Sequence, residues 1–353
     1  MEAKFTHQVS ASYSRDEKAV SEVLGVVMLL AMVITIMGGV WIFLNPYMSD
    51  FEDNTNWKSA TGITERIDDR ISVAGNSPNG TGFKNSMSLI STSVQTMKGI
   101  EYWTVAADLS TRDVIQVRHL NDSTIEISSY NERVSSVEIQ NHETLQTIDV
   151  EDGEDEYRIR HNLSRQKWIM ITAYDVHGNA LHRHVDVILS GLKVTTSLGM
   201  GEHQMALINN AIIERFPNEP WTISTMPSLS FTHLANGDVR LAILLTDAHA
   251  VKSFGGAGKT SIEFVSLGPL NLFSGPAYNI QFSAHSELHP VVSPQYHETW
   301  LQDYYIHRSS ATLTAYDGIA PFERASGADG FTVMTTSDVV HFEVDLQRVE
   351  VSS

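Results

Sequence analysis

The sequence predicts an α+β protein: an N-terminal transmembrane helix, then a mainly antiparallel, sandwich-like β ectodomain with one late helix. Three observations predict it. Residues 23–44, VLGVVMLLAMVITIMGGVWIFL, form an apolar run with no charge between Glu22 and Asn45. From Ser86 onward, short stretches rich in β-branched and aromatic residues recur between turn signals. No long helical pattern alternates with those stretches, which argues against a parallel α/β core.

The apolar run comes first because the rest of the chain is placed by it. As a helix it would span roughly 33 Å, enough for a bilayer core. A globular core helix of this length would show a polar face, and this one shows none. A secretory signal peptide would have a shorter apolar region followed by a small-residue cleavage site, whereas here the small residue precedes the run. Lys4, Arg15 and Lys18 lie before the span and no Lys or Arg lies between Leu44 and Lys58. The positive-inside rule therefore puts the N-terminus in the cytoplasm and the large C-terminal part outside.

The residues leading into the run are Lys18-Ala19-Val20-Ser21-Glu22-Val23-Leu24-Gly25. A charged leader, a small residue, a short polar step with Ser and Glu, and then an apolar helix resemble the class III signal peptide of archaeal type IV pilins. The resemblance covers Arg15 to Trp41. It implies a leader, residues 1–19, removed by a prepilin peptidase that cuts between Ala19 and Val20. It also implies that Glu22 pairs with the new N-terminal amine of a neighbouring subunit in a filament. Val26, Val27, Leu30, Val33 and Ile34, at helical steps, would be the packing surface, whether against lipid, other pilins or copies of the chain.

After the span, residues 20–45, Pro46 should kink or end the helix. Residues 46–74 read as an amphipathic stalk. Trp57, Ala60, Ile63, Thr64, Ile67 and Ile71 fall at three- and four-residue steps with charged residues between them. In a pilin such a segment packs its stripe under a β-sheet, so the stalk extends the resemblance. The turn-rich stretch 75–82, GNSPNGTG, ends it. A β-rich domain over 83–198 follows, with strands expected at 102–106, 114–118, 124–128, 136–139, 156–160, 168–174 and 185–189. Residues 199–216 fit either a helix or a strand pair turning at Asn209-Asn210; the prolines that follow favour strands. A second β-rich region over 199–353 is expected to hold a hairpin, 230–233 with 239–245. Further strands are expected at 260–266, 279–284, 311–316, 331–335 and 339–351, with the one helix at 294–305.

Composition narrows the function. Beyond residue 49 the chain has 21 Lys and Arg against 38 Asp and Glu. So acidic a surface argues against nucleic acid as a partner. There is no cysteine, hence no disulfide, thiolate nucleophile or Cys-based metal site.

Three motifs bear on chemistry. Gly255 to Thr260, GGAGKT, ends like a phosphate-binding loop but has Ser253 where the first glycine belongs, and Ile262, Phe264 and Val265 after it read as strand. His182 and His184 sit two apart, so on a strand they project from one face, with His177 in the preceding turn. His285, His289 and His297 form a looser group with Glu287 and Glu298. These are weak metal-ligand candidates without a recognised ligand spacing, and no cofactor is expected. Asn79-Gly80-Thr81, Asn121-Asp122-Ser123 and Asn162-Leu163-Ser164 are N-glycosylation sequons in expected turns. No Ser, His and acid grouping or carboxylate pair points to an enzyme.

The expected function is thus a membrane-anchored, pilin-like surface protein, structural or adhesive, that self-associates through its N-terminal helix. The alternatives are a monomeric tethered ligand-binding module and, less well supported, an exported metal-dependent enzyme.

Overall fold

A computed structural model describes residues 10–109, 115–121, 124–129, 134–149, 156–160, 167–225, 227, 229–233, 239–256, 258–288, 322–325, 331–335 and 340–353. The expected helix at 294–305 and strand at 311–316 lie outside the described residues. The chain forms two compact units, Met1–Thr55 and Asn56–Ser353.

The first element is one helix, α1 (Ser10–Gly75), which runs through Pro46. Proline removes one i→i−4 hydrogen bond, and within α1 that loss does not end the helix as expected. Residues 20–52 of α1 are exposed throughout. From Ala60 the character changes: Ala60, Ile63, Ile67, Ile71 and Ala74 are buried, as the three- and four-residue spacing predicts. Thr64 joins this face, its hydroxyl donating to the Ala60 carbonyl at 2.9 Å.

The strands follow in chain order. They begin with β1 (Gly82–Ser88), β2 (Thr92–Asp108), β3 (Ile115–Asn121), β4 (Thr124–Ser129), β5 (Ser136–Asn141), β6 (Leu145–Asp149), β7 (Glu156–Arg160) and β8 (Trp168–Tyr174). Next come β9 (Ala180–Leu198), β10 (Gly201–Ile208), β11 (Ala211–Arg215), β12 (Thr222–Thr225), β13 (Leu229–His233) and β14 (Val239–Ala250). The last are β15 (Phe254–Gly256), β16 (Lys259–Ser266), β17 (Leu270–Ser286), β18 (Phe322–Ala325), β19 (Phe331–Thr335) and β20 (Val340–Ser352). Pairing is mostly antiparallel, as expected. Among the described residues the exception is β14 with β20, which run parallel from Val239↔Val340 to Ala250↔Val351.

The 17-stranded sheet folds into two layers that share one core. One has β20 at its centre, paired with β14 on one side and with β16 and the first half of β17 on the other. The other is built on β2 and β9, flanked by β8, β5 and β6 and by the β10–β11–β12 meander. Strand β17 belongs to both, because its second half pairs with β2. A separate small sheet holds β3, β4 and β7. The expected boundary at 199 falls between β9 and β10, which pair from Gly201↔Leu198 to Leu207↔Leu192.

The apolar residues divide into two main cores, and the long strands serve both. Trp103, Val185, Val187, Leu189, Leu241, Leu245, Phe273, Phe342 and Leu346 meet between the two layers. The α1 residues Ile63, Ile67, Ile71 and Ala74 instead pack with Leu192, Val194, Met205, Leu207, Ala248, Phe264, Val349 and Val351. Along β9 the core positions step from Leu189 to Leu192, along β14 from Leu245 to Ala248, and along β20 from Leu346 to Val349. Each step is three residues, and a strand alternates faces every residue. Each of these strands therefore gives one face to the sandwich core and the opposite face to the helix core.

Candidate functional sites

The first candidate is the exposed half of α1. Within it, Val20, Glu22, Val26, Val27, Leu30, Val33 and Ile34 are all exposed. This helix is long and apolar enough to cross a membrane, and none of its apolar window is buried within the protein. Ala19 and Val20 lie within the same helix, without a break between them.

The second candidate grows from the histidines. His182 and His184 do project from one face of β9, and Asp186 continues that face. All three are buried. His182 Nδ1 lies 2.7 Å from Asp108 Oδ1, and the other Asp108 oxygen accepts from Asn279 Nδ2 at 2.6 Å. Register explains the meeting, because β2 places Asp108 directly opposite His182. His184 Nε2 lies 3.0 Å from Asp186 Oδ2, and the Thr104 hydroxyl donates to Asp186 Oδ1 at 2.7 Å. Burial pushes the His182 ring below its ordinary pKa, a shift that the Asp108 hydrogen bond opposes. A neutral ring donating Nδ1–H to Asp108 fits this geometry, which leaves the buried Nε2 as an acceptor without a partner.

The arrangement is a buried row of Asp–His contacts on the β2–β9 pair. Among the described residues no three His, Asp or Glu side chains converge on one point where a cation could sit. His177 lies in the exposed turn before β9, its backbone N–H donating to Asp175 Oδ1. His285 lies on β17 beside the Tyr102 ring, whereas His289, His297 and Glu298 are outside the described residues. Lys259 and Thr260 of the glycine-rich stretch open strand β16, not a helix. Asn79 sits in an exposed turn, Asn121 ends β3 opposite Thr124, and Asn162 is outside the described residues.

Two polar sites escaped the sequence reading because their members are far apart in the chain. At one end of the helix core, Glu214 Oε1 accepts from Trp57 Nε1 at 2.9 Å and lies 2.7 Å from His203 Nε2. The His203 bond, then the Trp57 bond, holds the Glu214 carboxyl below its ordinary pKa against the opposing effect of burial. Phe216 meets both rings, edge-on to Trp57 at 5.6 Å and tilted against His203 at 4.7 Å. Helix and hairpin are thereby clamped together.

The other polar site occupies the level where the strands change faces. Asn209 and Asn210 form the two-residue turn between β10 and β11, both with positive φ (48° and 61°). Their side chains accept from the backbone N–H and hydroxyl of Thr246, and the amide of Gln347 continues the chain to Asn76 just past α1. Beside them Glu101 is fully buried, its Oε2 accepting from Trp103 Nε1 at 3.0 Å. Ser286 Oγ is buried there without a partner, while the Asn209 side chain approaches the Glu101 carboxyl. Burial pushes the Glu101 carboxyl up to about 7, with the Trp103 hydrogen bond opposing the shift.

No family model matches the chain, and no curated protein matches it with significance.

Proposed function

We propose that the chain is a membrane-anchored, pilin-like surface subunit, structural or adhesive and not catalytic, that assembles through its N-terminal helix. The carrying observation is the division of labour along α1. Its first half is apolar and exposed along residues 20–52, while its second half buries a stripe against β-sheet. A tether would need only the first property, and a pilin-like stalk uses both. The charges around the span support a cytoplasmic N-terminus and an outward-facing β domain. Prepilin peptidase is then the processing partner, and Glu22 with the Val26, Val27, Leu30, Val33 and Ile34 surface is the assembly element.

The test begins with N-terminal sequencing and intact mass of the protein from its own membranes. The expected chain starts at Val20. Because the sequence has no cysteine, a single Val27→Cys or Val33→Cys variant reports helix contacts by disulfide cross-linking without background. Cross-linked dimers and higher species in the membrane are expected. A chain beginning at Met1 that also fails to cross-link would overturn the assembly reading and leave a monomeric tethered binding module.

A further inference from the structure

We propose that Asn79 is an N-glycosylation site, carrying an oligosaccharide just beyond the C-terminal end of α1. Residues 78–81 form a reverse turn: the Thr81 N–H donates to the Pro78 carbonyl at 3.1 Å, and Gly80 supplies the positive φ of 79° that the turn's third position needs. Asn79, Gly80 and Thr81 are all exposed. The turn is held from below, since Gly80 N–H donates to the Ser266 carbonyl at 2.8 Å and Ser266 N–H to the Thr81 carbonyl at 2.9 Å. The acceptor amide and the hydroxyl that define the sequon are thus presented together at the tip of an anchored turn. Asn121 differs, because it lies in strand β3 with its backbone in register with Thr124.

The chemistry is a glycosyl transfer that needs no oxidant or reductant. The Asn79 amide nitrogen forms a bond to the anomeric carbon of a polyprenyl-phosphate-linked oligosaccharide. The bond from that carbon to the phosphate oxygen breaks, its electron pair leaves with the phosphate, and the amide nitrogen gives up one proton. The site rests on the outward placement of the β domain proposed above, since donors of this class are used on the far side of the membrane from the cytoplasm.

The full-length protein from its own membranes provides the test. Trypsin releases Ile71–Lys84, which contains Asn79 and no other sequon. In wild type this peptide is expected to carry a mass excess equal to a series of saccharide residues. Asn79→Gln and Thr81→Ala are expected to abolish the excess, and Thr81→Ser to retain it. Protease treatment of intact cells locates the β domain in the same preparation. An unmodified peptide from a protease-accessible domain overturns the glycan proposal alone. An inaccessible domain overturns both the outward placement and the glycan. Modification confined to Asn121 or Asn162 also refutes the assignment.

Discussion

Replacing Glu101 by Gln should make the protein more stable at pH 8 and change little at pH 4. Glu101 is fully buried, and burial raises its carboxyl from an ordinary 4.5 to about 7. A raised acid binds its proton more tightly in the folded state, so folding is favoured while the proton stays on. As pH climbs from 4.5 through 7, the unfolded chain ionises first and stability falls. At about 1.4 kcal/mol per pH unit, the full loss is about 3 kcal/mol. Glutamine keeps an oxygen for the Trp103 N–H and carries no charge to desolvate. Urea unfolding of the full chain in detergent micelles, followed by tryptophan fluorescence from pH 4 to pH 8, measures the effect. The Glu101→Gln variant should gain on wild type by up to about 3 kcal/mol, progressively over that interval. Parallel pH profiles for the two proteins would refute the argument, because they would mean that Glu101 titrates alike in folded and unfolded chains.

Ile67, fully buried at the centre of the helix stripe, should cost about 2–5 kcal/mol when changed to Ala, measured by the same unfolding assay. A Cβ added at Gly191 would lie 2.5 Å from the Leu207 backbone oxygen. Gly191→Ala should therefore spread β9 from β10, with faster hydrogen exchange at the Leu192 and Leu207 amides as the readout. Glu214 has the opposite sign to Glu101: its lowered carboxyl adds stability above about 4.5, which is lost as pH falls through the folded value. Glu214→Gln should flatten the acid limb of the stability profile below about pH 4.5, and an unchanged limb would count against the clamp.

The local features of this fold were legible and the distant ones were not. The α1 stripe could be read because Ile63, Ile67 and Ile71 lie within two turns or so of each other, and helical spacing alone aligns them. The Asn209-Asn210 turn and the β13–β14 hairpin were readable for the same reason. Strands β1 and β6 were missed; both are largely exposed edges without apolar alternation. Only residues 185–189 of the 19-residue β9 were recognised. Its alternation changes phase at Ser190-Gly191, where the buried face switches, and a period-2 search loses the pattern there. The common face of His182 and His184 followed from strand geometry, but Asp108, 74 residues earlier in the chain, required the β2–β9 register. Glu101 gave no sign of its burial, because a single acid among apolar neighbours looks like an exposed position in a strand.

The central place of β20 imposes an order on how the protein can be made. Val349 and Val351 complete the core into which Ile63, Ile67 and Ile71 pack, and they lie some 280 residues after them in the chain. The ribosome therefore releases the amphipathic half of α1 long before its final partner exists. That stripe stays unsatisfied until some 280 further residues have been made. A product that stops before Val349 lacks the residues that complete this core, so it should be open to proteolysis along the second half of α1. Strand β20 thus ties the docking of the amphipathic half of α1 to a strand made some 280 residues after it.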